Sequence, residues 1–249
     1  MVENLTVVRG SKKVIEDVAL TIRKGEFVGL VGPNGSGKST LLLAILGFLN
    51  AANGKIEIYG EPSTSNRHLG KIGWVSQAAA SLPPNIRITV EELVRLGTLT
   101  RKNMFLRKGR NQERITEAIE MVGLEEVIHT DVARLSGGQR QRAVIGRVLA
   151  SEADFILLDE PLVGIDRASR NSLLKLLDEL CHSQGKTILM ISHDMAAIRQ
   201  TAHRMIYLEE TIKFDGPSEE FPDLEGLANL RGIEHVHSDH VHVHEKEEE

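Results

Sequence analysis

"GPNGSGKST" occupies Gly32 to Thr40, and its reading decides the fold. It matches G-x-x-x-x-G-K-[ST] and lies between a buried apolar run ending in glycine, "EFVGLVG" (Glu26 to Gly32), and a stretch with the period of a buried helix, "STLLLAILGFL" (Ser39 to Leu49). In that context Gly32, Pro33, Asn34, Gly35, Ser36 and Gly37 wrap the backbone so that N–H groups and a helix N-terminus point at phosphate oxygens. Lys38 is placed to neutralise β/γ-phosphate charge and Ser39 to offer its hydroxyl to Mg²⁺, with Thr40 completing the motif. A glycine-rich turn with a surface lysine is the bland alternative, and the strand before and helix after it count against that.

The matching acids stand in "FILLDE", Phe155 to Glu160. Asp159 ends a buried strand, where a carboxylate can hold Mg²⁺ through water. Glu160 beside it can orient and polarise an attacking water. A strand ending in two acids is common by itself, but downstream of a phosphate loop it points to a nucleoside triphosphatase.

Short apolar runs alternate with longer helical periods along the chain, which predicts an α/β fold: a P-loop NTPase core with a mostly parallel sheet. "ENLTVV", "EDVALTI" and "GKIEIYG" read instead as an antiparallel β edge region. After "KIGWVSQ" strand-like runs disappear until "ADFILLDE", so residues 89 to about 150 read as an inserted helical lobe. "KTILMIS" is a further buried strand, followed by the helix "DMAAIRQTA". From Glu219 the sequence turns acidic and loses periodicity. The expected division is an ATPase domain over 1–217 and an acidic, histidine-rich tail over 218–249.

Composition excludes several classes. With 249 residues, 41% of them apolar, the chain can build a full core. Its formal net charge is −5 and its basic residues are interspersed with acids, so no nucleic-acid partner is expected. Cys181 is the one cysteine, which rules out a disulfide framework and suggests a reducing compartment. "MVENLTVVRGSKK" carries no signal-peptide core, and no stretch approaches the roughly eighteen apolar residues of a membrane span. The expected location is cytoplasmic.

The class of triphosphatase turns on "LSGGQRQR", Leu135 to Arg142. Its serine and paired glycines open a helix ahead of the Asp159 strand, a second anion-binding helix terminus without a lysine of its own. Here the chain resembles the ATP-binding subunit of ABC transporters, from residue 1 to about 217. The resemblance extends to Gln77 in "WVSQ" (the Q-loop), to "PLVGID" (Pro161 to Asp166, the D-loop) and to His193 in "ISHD" (the switch histidine). Taken singly, Gln77 and His193 would read as structural polar residues; their order among the other motifs reverses that.

The resemblance implies an ATPase using ATP and Mg²⁺, the latter near Ser39, Gln77 and Asp159. It implies a head-to-tail homodimer, in which ATP held at Lys38 of one copy is completed by Ser136, Gly137, Gly138 and Gln139 of the other. Glu160 would act as base, His193 would contact the γ-phosphate, Gln77 would couple the site to the helical lobe, and Asp166 would link the two sites. Integral membrane permease subunits would convert closure into alternating access, with the chain peripheral on the inner face of the membrane. They would be gripped by the lobe just after Gln77. One position departs from the family: where an aromatic residue usually stacks on adenine, this chain has Arg9. Its guanidinium either stacks on the base or is a solvated turn residue.

"HVHSDHVHVH" near the end holds His235, His237, His240, His242 and His244, five of the ten histidines. Histidines two apart in an extended segment point to one side and would converge on Zn²⁺ or a related ion; the alternative is a solubilising tail. Such a tail on an ABC ATPase resembles the ATPase subunits of zinc and manganese importers, as does "PNIRITVEELVRLG". Metal import implies, indirectly, an extracytoplasmic metal-binding protein. The rival readings are an importer ATPase for another substrate such as an iron chelate, a soluble ABC ATPase, and a metallochaperone GTPase. The soluble ATPase would need long coiled coils or fused ATPase domains, and the GTPase an N-K-x-D sequence; the chain has none of these.

Overall fold

The chain was analysed as a computed structural model that describes residues 1–68, 70–79, 87–99, 108–223, 226–227 and 230. It opens with a hairpin, β1 (Val2–Arg9) and β2 (Lys12–Leu20), turning at Gly10 and Ser11. β3 (Phe27–Val31) leads through the phosphate loop into α1 (Lys38–Ile45). β4 (Asn53–Ile58), the short β5 (Glu61–Pro62) and β6 (Ile72–Val75) follow. The helical lobe holds α2 (Val90–Arg95), α3 (Lys108–Met121) and α4 (Gly137–Leu149). Then come β7 (Phe155–Asp159), α5 (Arg167–Gln184), β8 (Thr187–Ile191), α6 (Met195–Thr201), β9 (Arg204–Glu209) and β10 (Thr211–Pro217).

Two sheets form. One is antiparallel in the order β2-β1-β4-β5, which bears out the expected β edge region. The other runs β10-β9-β3-β8-β7-β6 and is parallel from β9 to β6. β3 and β8 are buried at every position, as strands covered on both faces must be. Side chains alternate between the two covers. Val28, Leu30, Leu157, Leu189, Ile191, Ile206 and Leu208 join α1 and the antiparallel sheet in one cluster. Phe27, Val31, Ile156, Leu158, Ile188, Met190 and Met205 join α4, α5, α6 and the lobe in the other.

α2 begins at a local start signal. Thr89 caps α2, accepting from Glu92 N at 3.2 Å, while Glu92 Oε2 accepts from Thr89 N at 2.8 Å. The lobe is not an independent body, because Val144, Ile145 and Val148 of α4 share one cluster with Val122 of the lobe and Ile156 of the sheet.

Two features were not expected. The hairpin β9–β10 adds an antiparallel edge to the parallel sheet; its strands lie between the motifs and carry none. The expected tail also does not begin at the end of the folded part. Phe221 and Leu227 are buried in the core, with Phe221 edge-on to Phe214 at 5.3 Å between ring centroids. Acidic residues around two isolated apolar anchors hid them from a periodicity argument.

α6 sits directly on β3 at Gly29, where a Cβ would lie 2.1 Å from Ile198 Cγ2. Gly29→Ala is therefore expected to destabilise the fold by about 1–3 kcal/mol through overpacking, measured by urea unfolding. Gly29→Ala combined with Ile198→Ala should not add the two single losses, because the smaller side chain removes the clash.

Candidate active site

The phosphate loop is shaped by β2 as much as by its own glycines. At Gly37, φ is 101° and a Cβ would stand 2.4 Å from Ile15 Cγ2 and 3.0 Å from Val14 O, so no other residue fits. Gly37 sits at the N-cap of α1, and the loop curls around the ammonium of Lys38, which donates to Gly32 O and Pro33 O at 2.8 Å each. Burial lowers the pKa of Lys38, and the charges of Glu160 and Asp159 oppose that shift. Ser36 Oγ is buried beside Gly32 with no hydrogen-bond partner and does not line the cleft. Asn34, Gly35, Gly37, Lys38, Ser39 and Thr40 do line it, and a lysine ammonium held, among the described residues, only by its own loop's carbonyls fits a bound triphosphate.

The acids come from the next-but-one strand. Asp159 ends β7, and its Oδ1 lies 3.4 Å from Ser39 Oγ, so two hard oxygen donors face each other as Mg²⁺ requires. Burial raises the pKa of Asp159, with Glu160 adding to the shift and Ser39 and Lys38 opposing it. Glu160 follows with φ 52°, a left-handed conformation a non-glycine residue adopts at a cost of roughly 1–3 kcal/mol. Its N–H donates to Ile191 O at 3.0 Å. Because β7 and β8 pair in parallel with Asp159 opposite Ile191, the residues just past their ends meet. His193 Nδ1 lies 2.8 Å from Glu160 Oε2, and the His193 N–H donates to the same oxygen at 3.4 Å.

Arg9, Lys38, Ser39, Gln77, Glu160 and His193 line one cleft of about 500 Å³. Val14 and Val163 also line it; Val163 lies in the D-loop stretch, whereas Val14 belongs to no motif and nothing in the sequence marks it. Arg9 is exposed at the end of β1, opposite Lys12 across the hairpin turn.

The signature residues do not line this cleft. Ser136 caps α4, accepting from Gln139 N at 3.2 Å, while Gln139 Oε1 accepts from Ser136 N at 3.0 Å. The two glycines have a packing reason of their own: a Cβ at Gly137 would meet Gly164 O at 2.8 Å, and one at Gly138 would meet Ser169 Oγ at 2.3 Å. The signature turn is therefore seated on the D-loop of its own chain. Asp166 acts locally as the cap of α5, its Oδ1 accepting from Ser169 N at 3.0 Å and its Oδ2 from Ser169 Oγ at 2.6 Å. These bonds lower its pKa. His235, His237, His240, His242 and His244 lie outside the described residues, as does the segment 80–86 just after Gln77.

Asp178, His182 and His203 form a separate cluster at the other end of α5, their possible ligand atoms within 4.8 Å of one another. His203 Nδ1 accepts the Phe27 N–H at 3.1 Å, so the neutral ring carries its proton on Nε2 and has no lone pair left for a metal. The cluster reads as a structural clasp.

The raised pKa of Asp159 has a consequence for stability. A carboxylate whose folded pKa exceeds its unfolded one destabilises the fold when ionised, at pH above the folded value, and that cost is gone below the unfolded value. Asp159→Asn is therefore expected to raise the denaturant midpoint of nucleotide-free protein at neutral pH. The gain should shrink as pH falls through the raised pKa and vanish below the usual carboxylate range, while Mg²⁺-dependent ATP turnover is lost.

A sequence profile of the ABC transporter family matches residues 15–163. The zinc uptake system ATP-binding protein ZurA of Listeria innocua is 35% identical over 92% of each chain. The zinc transport system ATP-binding protein AdcC of Streptococcus pneumoniae is 38% identical over 83% of this chain and 88% of its own. The manganese transport system ATP-binding protein MntB of Halalkalibacterium halodurans is 36% identical over 87% and 85%. Among solved structures, the dimeric post-hydrolysis state of the ATP-binding cassette MJ0796 bound to ADP and Pi superposes with a TM-score of 0.75 at 30% identity, covering 88% of this chain and 99% of that one. For cbiO1 of Clostridium perfringens, part of the transporter complex cbiONQ, the TM-score is 0.80 at 27% identity, covering 92% and 94%. Such cassettes work as dimers with membrane permease subunits, and no helix among the described residues is long and apolar enough to cross a membrane. Profile and relatives together cover the site just described, and the chain belongs to the ABC transporter family as an ATP-hydrolysing subunit coupled to transport.

Proposed function

We propose that the protein powers uptake of a divalent metal ion, zinc or manganese, as a head-to-tail pair of copies on the inner face of the membrane. Separate permease subunits carry the ion, supplied by an extracytoplasmic metal-binding protein. The observation that carries the cargo is that relatives covering more than four fifths of the chain are named for zinc and manganese transport. Exposed Leu96 and Leu99 support a permease contact on the lobe.

For the chemistry, Lys38 and the loop N–H groups hold the β- and γ-phosphates, and Ser39 adds a hydroxyl. Ser39, Asp159 and Gln77 would hold Mg²⁺, which when bound would neutralise phosphate charge. Glu160 accepts a hydrogen bond from the attacking water and takes its proton as the water oxygen bonds to the γ-phosphorus and the ADP oxygen leaves, while His193, fixed by Glu160 Oε2, turns its other ring nitrogen to the γ-phosphate. Ser136, Gly137, Gly138 and Gln139 close the site of a second copy, a reading supported by their absence from the lining of the Lys38 cleft. Arg9 lines that cleft and stacks on the base. Asp166 would link the two sites of such a pair.

Glu160→Gln is expected to keep Mg²⁺-ATP binding and to lower turnover by about a hundredfold or more, read by nucleotide titration and phosphate release. Near-normal hydrolysis would remove Glu160 from the base role. Cells lacking the chain should lose radiolabelled zinc or manganese uptake; intact uptake of both with loss of iron-chelate uptake would replace the cargo.

The histidine strip is proposed to bind cytosolic Zn²⁺ and report it to the transporter. Neutral imidazoles coordinate, so affinity should weaken as pH drops below about 6.5. Truncation after Gly232 should leave metal-free ATPase activity unchanged and abolish zinc binding in calorimetry together with zinc dependence of transport. Equal zinc binding by both forms would exclude the tail as ligand.

A further inference from the structure

Behind the His193 turn stands a half-buried cation that the mechanism does not use, the guanidinium of Arg170. It sits one turn into α5, the helix capped by Asp166, and its backbone N–H donates to Asp166 O at 2.9 Å. The side chain crosses to the neighbouring element, where Nη1 donates to Asp194 Oδ2 at 2.5 Å. Its Nε is buried without a partner, so the bond to Asp194 is what compensates a partly desolvated charge.

Asp194 is the residue after His193, and both of its oxygens are engaged. Oδ1 accepts from Ala197 N at 3.1 Å and caps α6, Oδ2 takes Arg170, and its own N–H donates to Ser192 Oγ at 3.1 Å. The turn that carries His193 is thereby tied on one side to α6 and on the other to α5. His193 in turn holds Glu160 Oε2. At its own end, α5 is held through Ser169 to both Asp166 and the face of Gly138. A continuous run of contacts leads from the signature turn and D-loop through Arg170 and Asp194 to the His193–Glu160 pair of the same chain.

We infer that Arg170 is a positioning residue for hydrolysis, which through Asp194 holds the His193 turn in register with Glu160 and ties that register to the D-loop. It touches neither nucleotide nor the reacting atoms. The inference rests on the reading of Glu160 and His193 as the hydrolytic pair. A fixed cation on a helix suits this role because a charge-assisted bond is directional and strong where water is partly excluded, and a misplaced catalytic group is costly to rate.

The test uses the full-length protein with Arg170→Ala, Arg170→Lys and Asp194→Asn, the last because an amide oxygen still caps α6 while the charge facing Arg170 is gone. Expected for Arg170→Ala and Asp194→Asn is a kcat lower by about tenfold to a hundredfold, with the KM and the binding affinity for Mg²⁺-ATP within about twofold of the parent. Arg170→Lys should recover part of the loss. The combined Arg170→Ala, Asp194→Asn variant should be no slower than the slower single one, since both act through one contact. Unchanged kcat in the single variants would overturn the inference. So would losses that multiply in the double variant, or losses that appear in nucleotide affinity rather than in kcat. If Arg170→Ala does not fold, Arg170→Lys and Asp194→Asn carry the same comparison. Failure of the underlying reading is separate, because it would show as retained turnover in Glu160→Gln.

Discussion

Parallel pairing of β3, β8 and β7 is the constraint on which the rest of the protein depends. Three strands running the same way end side by side, and the segments leaving them are the phosphate loop, the His193 turn and the Asp159–Glu160 pair. Ligands of open α/β sheets sit in that position, outside the carboxyl ends of the strands. The register does the finer placement: with Asp159 opposite Ile191, Glu160 can donate its N–H to Ile191 O and still reach His193. A slip of one residue would send the buried faces of β7 to the wrong cover and separate the two groups.

The site is built against local stability. A lysine ammonium is drawn into a backbone cage, a carboxyl is held where burial disfavours its charge, and Glu160 sits in a left-handed backbone conformation. Each is a cost that a simple scaffold would avoid, and their concentration at one edge of the sheet marks where function overrides folding. The two hydrophobic clusters on the faces of the sheet hold this edge in place. Gly29 and Gly37 show how tight that support is, one admitting α6 onto β3 and the other admitting β2 onto the phosphate loop.

The signature turn illustrates a double use of residues. Gly137 and Gly138 belong to the signature motif, and their absence of Cβ also lets α4 sit on Gly164 and Ser169. Asp166 likewise has a local role as helix cap in addition to the one its motif implies. Sequence motifs name the positions where chemistry happens; they do not separate the part of each residue spent on packing from the part presented to a ligand.

Much was determined by sequence alone. Motifs and strand periodicity are local, so the phosphate loop, the acid pair at the end of its strand and the antiparallel edge could all be read from short stretches. What only the tertiary structure decided are the relations between stretches far apart in the chain. These include the order of the strands, the contact of His193 with Glu160, the orphan Ser36 hydroxyl and the seating of the signature glycines on the D-loop. They also include the hairpin β9–β10, the burial of Phe221 and Leu227, and the ion pair of Arg170 with Asp194. The physical reason is that periodicity and propensity act over a few residues, whereas strand pairing and desolvation depend on which surfaces meet in space.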